Sequence, residues 1–386
     1  MKILYYDLIA PIGIHAHFNA GLMGVLYKWQ NNTAIIDFYS ENIHGTIVSD
    51  ILKKENININ LKPCKILNKK IIGGWKTLLR DILGIYYVIA AFLCKKKKDV
   101  LVFGLAYPIC LNMIFLCSLF FKKNVLVCLH GELSLFVKNN KFFRNKRYFS
   151  LEKHIIMKKN GYLRYLILGE PIYEVTKHIF YRTPIIINLP YVFYNENLLL
   201  IDNFKPIIVG QIGGGSKEKG TQYLFDIARA MKREIERNEI KFVLVGRLDK
   251  NLLSLDEGLV EYQNEVIEQT KFESAIKGLH FTLQLRDSTI SQATANASFL
   301  DSLKHNKPFF SLNNNFIVYY LKQTALQDYI FNTTDDIIAR LRWFIGINKE
   351  KKEREYHNMV HSIQQIKRLF SIQYNAELLS GQLNNM

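Results

Sequence analysis

The segment IIVGQIGGGSKEKGTQYLFDIARAM, residues 207–231, combines an apolar strand, a glycine-rich loop and an amphipathic helix. Its glycines, Gly213, Gly214 and Gly215, follow the strand directly, and Lys219 lies four residues after the last of them. Glycines bring backbone amides close to a ligand, and the following helix presents its positive N-terminus, so the arrangement suits a diphosphate. The spacing matches neither the P-loop nor the dinucleotide-binding fingerprint. An exposed turn with solvated lysines is the alternative interpretation.

The same alternation of apolar strands and helix-length segments continues in both directions. Predicted strands cover residues 241–248, 280–285, 307–312 and 328–332 downstream, and residues 2–9, 33–39, 100–104, 125–129, 165–168 and 184–189 upstream. This alternation is typical of parallel sheets with helices on both faces. The pattern restarts near residue 203. The sequence therefore predicts an α/β protein with two doubly wound, Rossmann-like domains facing a central cleft, over residues 1–200 and 201–370.

Residues 101–121 are uncharged and long enough to cross a membrane. Gly104 and Pro108 interrupt the run, however, and a second apolar segment, 124–129, follows at once. We therefore predict a buried strand from Asp99 to Phe103, a buried helix from about Ile109 to Phe121, and another strand, as in a parallel sheet covered on both faces.

Positive charge is concentrated in the first half of the chain. Residues 51–150 hold 19 basic and 4 acidic residues, within a net charge of +17 for all 386 residues. Residues 69–98 place apolar side chains among lysines and end in four consecutive lysines, as in a helix that lies on a membrane; the residues are Trp75, Leu78, Leu79, Ile82 and Lys95 to Lys98. We predict binding to an anionic membrane surface rather than to nucleic acid, because no nucleic-acid module is recognisable.

Composition also narrows the class of protein. The five cysteines form no C-x-x-C pair, so a structural zinc site has no ligand framework. The N-terminus lacks the basic start and the long apolar core of a signal peptide. We expect a cytoplasmic protein that is peripherally associated with the inner face of the cell membrane.

Several segments together resemble the family-four type of retaining glycosyltransferases, which have the GT-B fold. The strand and loop that end in EKG resemble the opening of that family's donor domain, and FVLVGRL (242–248) is similar to its next strand. ATANASFLDSLKHNKPFFSL (293–312) is similar to its acidic segment, and FSIQYNAELL (370–379) to its closing helix. The resemblance implies a nucleotide diphosphate sugar donor, no cofactor and no metal, with residues 371–386 crossing back to the N-terminal domain.

At individual positions the resemblance is incomplete. Lys219 matches the family's diphosphate lysine, but Gln211 stands where the family has an arginine. Asp301 falls at the second of two family carboxylates and would hold the nucleotide ribose, whereas Ala293 replaces the first. Thr294 is a possible one-residue shift. Arg286 either supplies the missing cation or is an ordinary surface arginine.

Two loops of the N-terminal half carry further candidates. LHGEL (129–133) ends a strand, and its His130 resembles the family histidine beside the transferred sugar, with Glu132 two residues later. The loop after the first strand has Gly13, His15, His17 and Asn19 before a helix that we predict from about Ala20. In the resembling enzymes this loop borders the acceptor and the donor phosphate. A metal site at the two histidines lacks a third ligand in the sequence.

The sequence thus predicts a glycosyltransferase that moves a sugar from a nucleotide diphosphate sugar to a lipid-linked or polysaccharide acceptor, with retention, in cell-surface glycan synthesis such as lipopolysaccharide assembly. Two alternatives remain: a sugar-nucleotide epimerase of the same fold, and a non-catalytic nucleotide-sugar-binding partner. Ala293 and Gln211 are the residues that favour the second alternative.

Overall fold

The computed structural model describes residues 1–10, 15–66, 75–130, 133, 158–193, 203–265, 267–286, 293, 295–322 and 324–384. The chain divides into two compact units. The first contains Met1–Val192, Ala293–Ala295 and Leu369–Met386, and the second contains Phe193–Gln292 and Asn296–Arg368.

The first unit is built on a parallel sheet that has seven strands in the described part of the chain. Its elements are β1 (Lys2–Asp7), α1 (Ala16–Trp29), β2 (Ile35–Ser40), α2 (Asn42–Lys53), β3 (Asn60–Pro63), α3 (Trp75–Cys94), β4 (Val100–Leu105), α4 (Pro108–Phe121), β5 (Val125–Leu129), β6 (Leu163–Leu168), α5 (Glu170–Thr176) and β7 (Ile185–Ile187). The strand order is β3-β2-β1-β4-β5-β6-β7, and every neighbouring pair is parallel.

The second unit has a parallel sheet of six described strands in the order β10-β9-β8-β11-β12-β13. Its elements are β8 (Ile207–Ile212), α6 (Thr221–Ala230), α7 (Lys232–Glu236), β9 (Ile240–Arg247), β10 (Val260–Gln263), α8 (Gln269–Lys277), β11 (Phe281–Gln284), α9 (Ala297–Lys304), β12 (Phe309–Leu312), α10 (Asn315–Leu321), β13 (Ile330–Phe331), α11 (Thr334–Gly346) and α12 (Lys349–Leu369). The predicted α/β class with two doubly wound sheets is confirmed.

The last helix, α13 (Ile372–Asn384), belongs to the first unit, where it packs on α1 and β7. Gln382 of α13 forms two hydrogen bonds with the edge strand β7. Its Oε1 accepts the Ile186 N–H at 2.8 Å, and its Nε2 donates to the Ile186 carbonyl at 2.6 Å. A side-chain amide thus satisfies the backbone groups of an edge strand that would otherwise be available for pairing.

The long apolar run is a strand and a helix, as predicted. Val100–Leu105 is the buried strand β4, and Pro108–Phe121 is α4, which has only 14 residues. Among the described helices, none is both long and apolar enough to cross a membrane.

Two expectations about local structure were wrong. Helix α1 begins at Ala16 rather than near Ala20, so His17 and Asn19 are helical and not loop residues. The short strands β3 and β10 were not predicted, because they lie at sheet edges and their sequences, NLKP and VEYQ, have little apolar character.

Candidate functional site

Each sheet has one point at which the chain changes direction across it. The chain runs from β1 outward through β2 and β3 and returns to β4 on the other side, and β8 and β11 have the same relation in the second sheet. Ligands of doubly wound sheets bind beyond the carboxyl ends of the strands at such points. The loops after β1 and β8 are two of the three loops that we singled out from the sequence, and the third, LHGEL, begins at the end of β5.

In the second unit, the side chain of Lys219 folds back over the first glycine of the loop. A Cβ atom built at Gly213 would lie 2.5 Å from the Lys219 ammonium nitrogen, and Gly213 has a φ of +90°. Only glycine tolerates both this backbone conformation and this approach. In the described part of the chain, no hydrogen bond or ion pair of the Lys219 ammonium is formed.

Gly220 connects this loop to the one after β11. Its φ is +70°, and a Cβ there would overlap the carbonyl oxygen of Leu285. The close approach brings Arg286, the next residue, beside the Lys219 loop, even though 67 positions separate the two basic residues in sequence. Arg286 is therefore part of the same site and not an isolated surface arginine.

Two basic side chains dominate the electrostatics of this candidate site. Burial, and then the charge of Arg286, lower the pKa of Lys219, while Asp301 and Asp249 partly oppose this. Burial also lowers the pKa of Arg286, and the nearby Glu218 partly offsets the shift. Two half-buried cations that repel each other would both be stabilised by a diphosphate. Asp249, two residues beyond β9, was missed in the sequence, although a polar residue just after a buried strand was the available signal.

The loop offers fewer free amides than three glycines suggest. The Gly213 N–H donates to the Val245 carbonyl at 2.9 Å, and the Gly215 N–H donates to the Arg247 carbonyl at 2.8 Å. These bonds extend the pairing with β9 beyond the strand end. Gly214 is exposed, and it is the one glycine of the three whose N–H has no backbone partner among the described residues. The predicted backbone contribution to a phosphate site therefore rests on Gly214.

The residues that differ from the family pattern have the following surroundings. Gln211 is buried, and its Nε2 donates to the Lys219 carbonyl at 2.8 Å, so it holds the loop that carries the lysine. Asp301 is half-buried on α9, and its charge opposes part of the lowering of the Lys219 pKa. Ala293 is completely buried, and Thr294 lies outside the described residues.

In the first unit, His130 follows β5 and meets residues from the start of α1. Its ring stacks on Phe18 with centroids 4.9 Å apart, and the ring of His15 lies edge-on to it at 4.8 Å. Burial, and then His15, lower the pKa of His130 to about 3, although Asp7 acts in the opposite direction. His130 is thus a neutral imidazole near pH 7, which can donate or accept a hydrogen bond but carries no charge.

Asn19 has a different place from the one predicted, because it lies in the core. It is completely buried, it accepts a hydrogen bond from Tyr5 Oη at 2.8 Å, and its Nδ2 donates to Asp7 Oδ2 at 2.5 Å. His44 Nε2 lies 2.9 Å from the same amide nitrogen. Asp7 Oδ1 also accepts the N–H groups of Ile9 and Ala10, both at 2.9 Å. Asn19 therefore helps to hold the start of the loop after β1, together with Asp7 and His44, neither of which was predicted from the sequence.

The remaining predicted residues are placed as follows. His17 stacks on Tyr191 with centroids 5.0 Å apart, while His15 is exposed with a φ of +62°. Gly13 and Glu132 lie outside the described residues. Within the described ranges, no group of three or more His, Cys, Asp or Glu side chains is arranged to hold a metal ion.

Comparison with solved structures identifies the architecture. HepE from Anabaena, solved with UDP and glucose, matches with a TM-score of 0.65 over 100% of both chains at 11% sequence identity. TarM matches with a TM-score of 0.66 over 100% of this chain and 98% of its own, also at 11% identity. The lipopolysaccharide outer core galactosyltransferase WaaB, in its apo form, matches with a TM-score of 0.58 over 100% of both chains at 12% identity.

No protein-family model matches the sequence, and no curated protein matches it. At these identities the structural matches establish the fold: the chain has the GT-B fold, with a parallel α/β sheet in each of its two units. The predicted resemblance is confirmed at that level.

Proposed function

We propose that this GT-B chain is a glycosyltransferase that takes a sugar from a nucleotide diphosphate sugar. The observation that carries the proposal is the pair of half-buried cations, Lys219 and Arg286, at the switch point of the second sheet, where the Lys219 ammonium lies over Gly213. HepE was solved with UDP-glucose and a variant of S. aureus TarM with UDP, so we take uridine diphosphate as the first donor probe.

In this proposal the two cations stabilise the departing diphosphate. Negative charge builds up on that group as the bond between the anomeric carbon of the sugar and the diphosphate oxygen breaks, and charges placed in advance around it are commonly the largest contribution to catalysis. Asp301 holds the ribose hydroxyls. His130, as a neutral imidazole, hydrogen-bonds the reacting sugar. Transfer proceeds with retention, and the leaving phosphate helps to deprotonate the acceptor.

We further propose a lipid-linked or polysaccharide acceptor at an anionic membrane surface. The support is an exposed apolar surface on α3 and α4, here called the α3–α4 face. It consists of Leu79, Ile82, Tyr86, Ile89 and Leu93 on α3, and Leu116, Leu119 and Phe120 on α4. The α3 residues recur at intervals of three and four and so share one side of the helix, and Phe120 is 81% exposed.

The predicted amphipathic helix of residues 69–98 agrees with this surface in part. Leu79 and Ile82 are exposed on the α3–α4 face. Residues 69–74 lie outside the described residues, as do the side chains of Trp75 and Leu78. Lysines 96, 97 and 98 are exposed directly after α3, so an apolar surface and positive charge occur together, as they do in helices that bind anionic leaflets.

Calorimetry with UDP tests the donor site. We expect Lys219→Ala to weaken UDP binding by about 1.5–3 kcal/mol, the contribution of a charge-assisted hydrogen bond. Lys217→Ala is the matched control. Lys217 is exposed in the same short turn, and its substitution removes the same charge. Equal losses in both variants, or none in either, would contradict the assignment.

The same titrations have an expected pH dependence. Because the pKa of Lys219 is lowered, its positive charge is lost at a lower pH than that of an ordinary lysine. UDP affinity of the wild type should therefore begin to fall before the pH reaches the ordinary lysine pKa of about 10.4. Lys219→Ala should lack that part of the decline.

A non-catalytic nucleotide-sugar-binding partner is the second candidate function. Ala293 favours it, because alanine replaces the carboxylate that the resembling family places near the transferred sugar, and Ala293 is completely buried. The two functions differ in turnover. A wild-type protein that binds UDP but transfers sugar to none of the lipid or glycan fractions of its host would favour the binding partner.

A further inference from the structure

A second cavity opens at the opposite edge of the first sheet, where the strands begin. It has a volume of about 780 Å³, and its lining includes the first residues of β4, β5 and β7 and the second residue of β6. The candidate site residues of this unit, His15 and His130, follow the carboxyl ends of β1 and β5. Because all strands of the sheet are parallel, the amino-terminal edge is remote from those residues.

The polar lining of this cavity, here called the edge cavity, is strongly basic. Lys95, Lys97, Lys98 and Arg164 contribute positive charge, and Asp99 is the one carboxylate in the described lining. That carboxylate already accepts the Lys96 N–H at 2.9 Å. The four cations therefore outnumber the one carboxylate, which can neutralise only one of them.

Arg164 contributes a buried hydrogen-bond donor to this region. Its Nη1 atom is buried, and no hydrogen-bond acceptor pairs with it in the part of the chain that the structure describes. A buried donor without an acceptor costs about 1–3 kcal/mol, so such a group is rare unless a ligand completes it. Arginine suits phosphate in particular, because its planar fork can donate two parallel hydrogen bonds.

Hydrogen bonds to backbone carbonyls account for Lys123 and for Lys95, whose ammonium donates to the Lys96 carbonyl at 3.4 Å, but not for Lys97 and Lys98. Helices α1, α3 and α4 end at this edge, and basic side chains commonly hydrogen-bond the last carbonyls of a helix. Lys123 does so, because its ammonium donates to the carbonyls of Phe92 and, at 2.8 Å, Lys95. Lys97 and Lys98 are exposed and form no hydrogen bond with a helix end in the described structure.

The rest of the lining is apolar. Trp29, Val125, Leu126, Ile185 and Leu383 supply the walls between the cations. A free inorganic anion would leave these walls in water, whereas an anion with a hydrocarbon chain would cover them. The cavity also lies at the end of α3, because Lys95, Lys97 and Lys98 of its lining directly follow that helix.

We propose that the edge cavity binds the phosphate of an anionic amphiphile, with Arg164, Lys97 and Lys98 on the phosphate and the apolar walls on the start of its chain. The site is separate from the donor site and does not depend on sugar transfer. An anionic phospholipid headgroup is the occupant to which we commit. Soluble phosphate is the alternative source of the same chemistry, and the experiment separates the two.

The test uses the full chain and a soluble short-chain lipid. Trp29 lines the cavity, so its fluorescence reports occupancy in a background with Trp75→Phe and Trp343→Phe. The titrants are dihexanoyl phosphatidic acid, dihexanoyl phosphatidylcholine and inorganic phosphate. We expect saturable binding of phosphatidic acid, at least tenfold weaker binding of phosphatidylcholine, and weak binding of phosphate.

Two variants and a matched control link the signal to the named residues. Arg164→Gln and Lys97→Gln/Lys98→Gln should each weaken phosphatidic acid binding at least tenfold. The double variant Lys62→Gln/Lys65→Gln removes the same charge from exposed positions of this unit outside the cavity and should bind normally. Far-UV circular dichroism and the melting temperature of every variant should match those of the wild type, which verifies that the variants are folded.

Three results would overturn the proposal. Unchanged phosphatidic acid binding in Lys97→Gln/Lys98→Gln would show that these two exposed lysines do not contact the phosphate. An equal loss of binding in Lys62→Gln/Lys65→Gln would show that the net charge of the protein, and not the cavity, causes the effect. Phosphate that binds as tightly as phosphatidic acid would reject the amphiphile. Failure of the donor-site experiment would affect none of these readings, because UDP is not needed for lipid binding.

Discussion

At the scale of single residues, His130 and Asp301 have opposite expected roles in turnover. Burial keeps His130 neutral, so it can act only through hydrogen bonds, and the reacting sugar is where such a bond would strengthen during transfer. Asp301 is expected to hold the ribose, which does not change in the reaction. Variants of the two residues therefore test the two proposed roles separately.

We expect His130→Ala to lower kcat with the donor KM largely kept, and Asp301→Asn to raise the donor KM with less effect on kcat. Steady-state kinetics with UDP-glucose as the first donor measures both. Because the pKa of His130 is about 3, the wild-type kcat should show no step from this residue between about pH 5 and 8. Retained turnover per folded molecule in both variants, with lower melting temperatures, would make both residues structural.

At the scale of elements, the end of β1 is fixed by a buried polar cluster that joins β1, α1 and α2. Asp7 is its centre. Burial alone would raise the pKa of Asp7, but the hydrogen bond and charge of His44 and the N–H groups of Ala10 and Ile9 outweigh burial and lower it. The carboxylate is therefore ionised inside the unit, where one missing partner is costly.

We expect Asp7→Asn to lower the free energy of unfolding by about 3 kcal/mol, the scale for breaking a buried charged pair. Tyr5→Phe should cost about 1 kcal/mol, because one hydrogen bond to Asn19 is lost. Asp50→Asn is the control, since Asp50 is exposed and its ion pair with Lys53 should contribute less than about 1 kcal/mol.

Urea denaturation measures these changes, and its pH dependence has a defined sign. The folded pKa of Asp7 is lowered, so its contribution is present above the unfolded pKa and is lost as the pH falls below about 4. Asp7→Asn should lack that acid-dependent loss. An Asp7→Asn protein as stable as Asp50→Asn would show that the cluster does not support β1.

At the scale of the whole molecule, the charge distribution and the α3–α4 face predict where the protein binds a membrane. We expect flotation with phosphatidylglycerol vesicles, less binding to phosphatidylcholine vesicles, and weaker binding as the salt concentration rises, because exposed charges are screened. Ile82→Asp and Phe120→Asp should each reduce flotation, since both side chains are exposed on that face.

Leu253→Asp is the matched control for these variants, because Leu253 is equally apolar and 44% exposed, but lies in the second unit. Equal binding to both kinds of vesicle would reject the electrostatic part of the proposal. Equal loss in Leu253→Asp would mean that added negative charge, and not the α3–α4 face, causes the effect.

The sequence by itself determined the two-sheet architecture and indicated Lys219 as a candidate cation. Strand and helix periods are local, so the alternation of apolar runs predicted both parallel sheets, and Gly104 and Pro108 were enough to divide residues 101–121 into a strand and a helix. Lys219 was recognisable because it follows a glycine-rich turn between a strand and a helix, an arrangement that commonly binds phosphate.

Only the tertiary structure decided which residues meet. Arg286 joins Lys219 because β8 and β11 are neighbours in the sheet, and no local pattern encodes that pairing. The amides of Gly213 and Gly215 are occupied because β9 lies alongside, and Asn19 is buried because Tyr5, Asp7 and His44 from other elements surround it. Strand order brings residues together that are far apart in sequence, whereas periodicity reports only a residue's immediate neighbours.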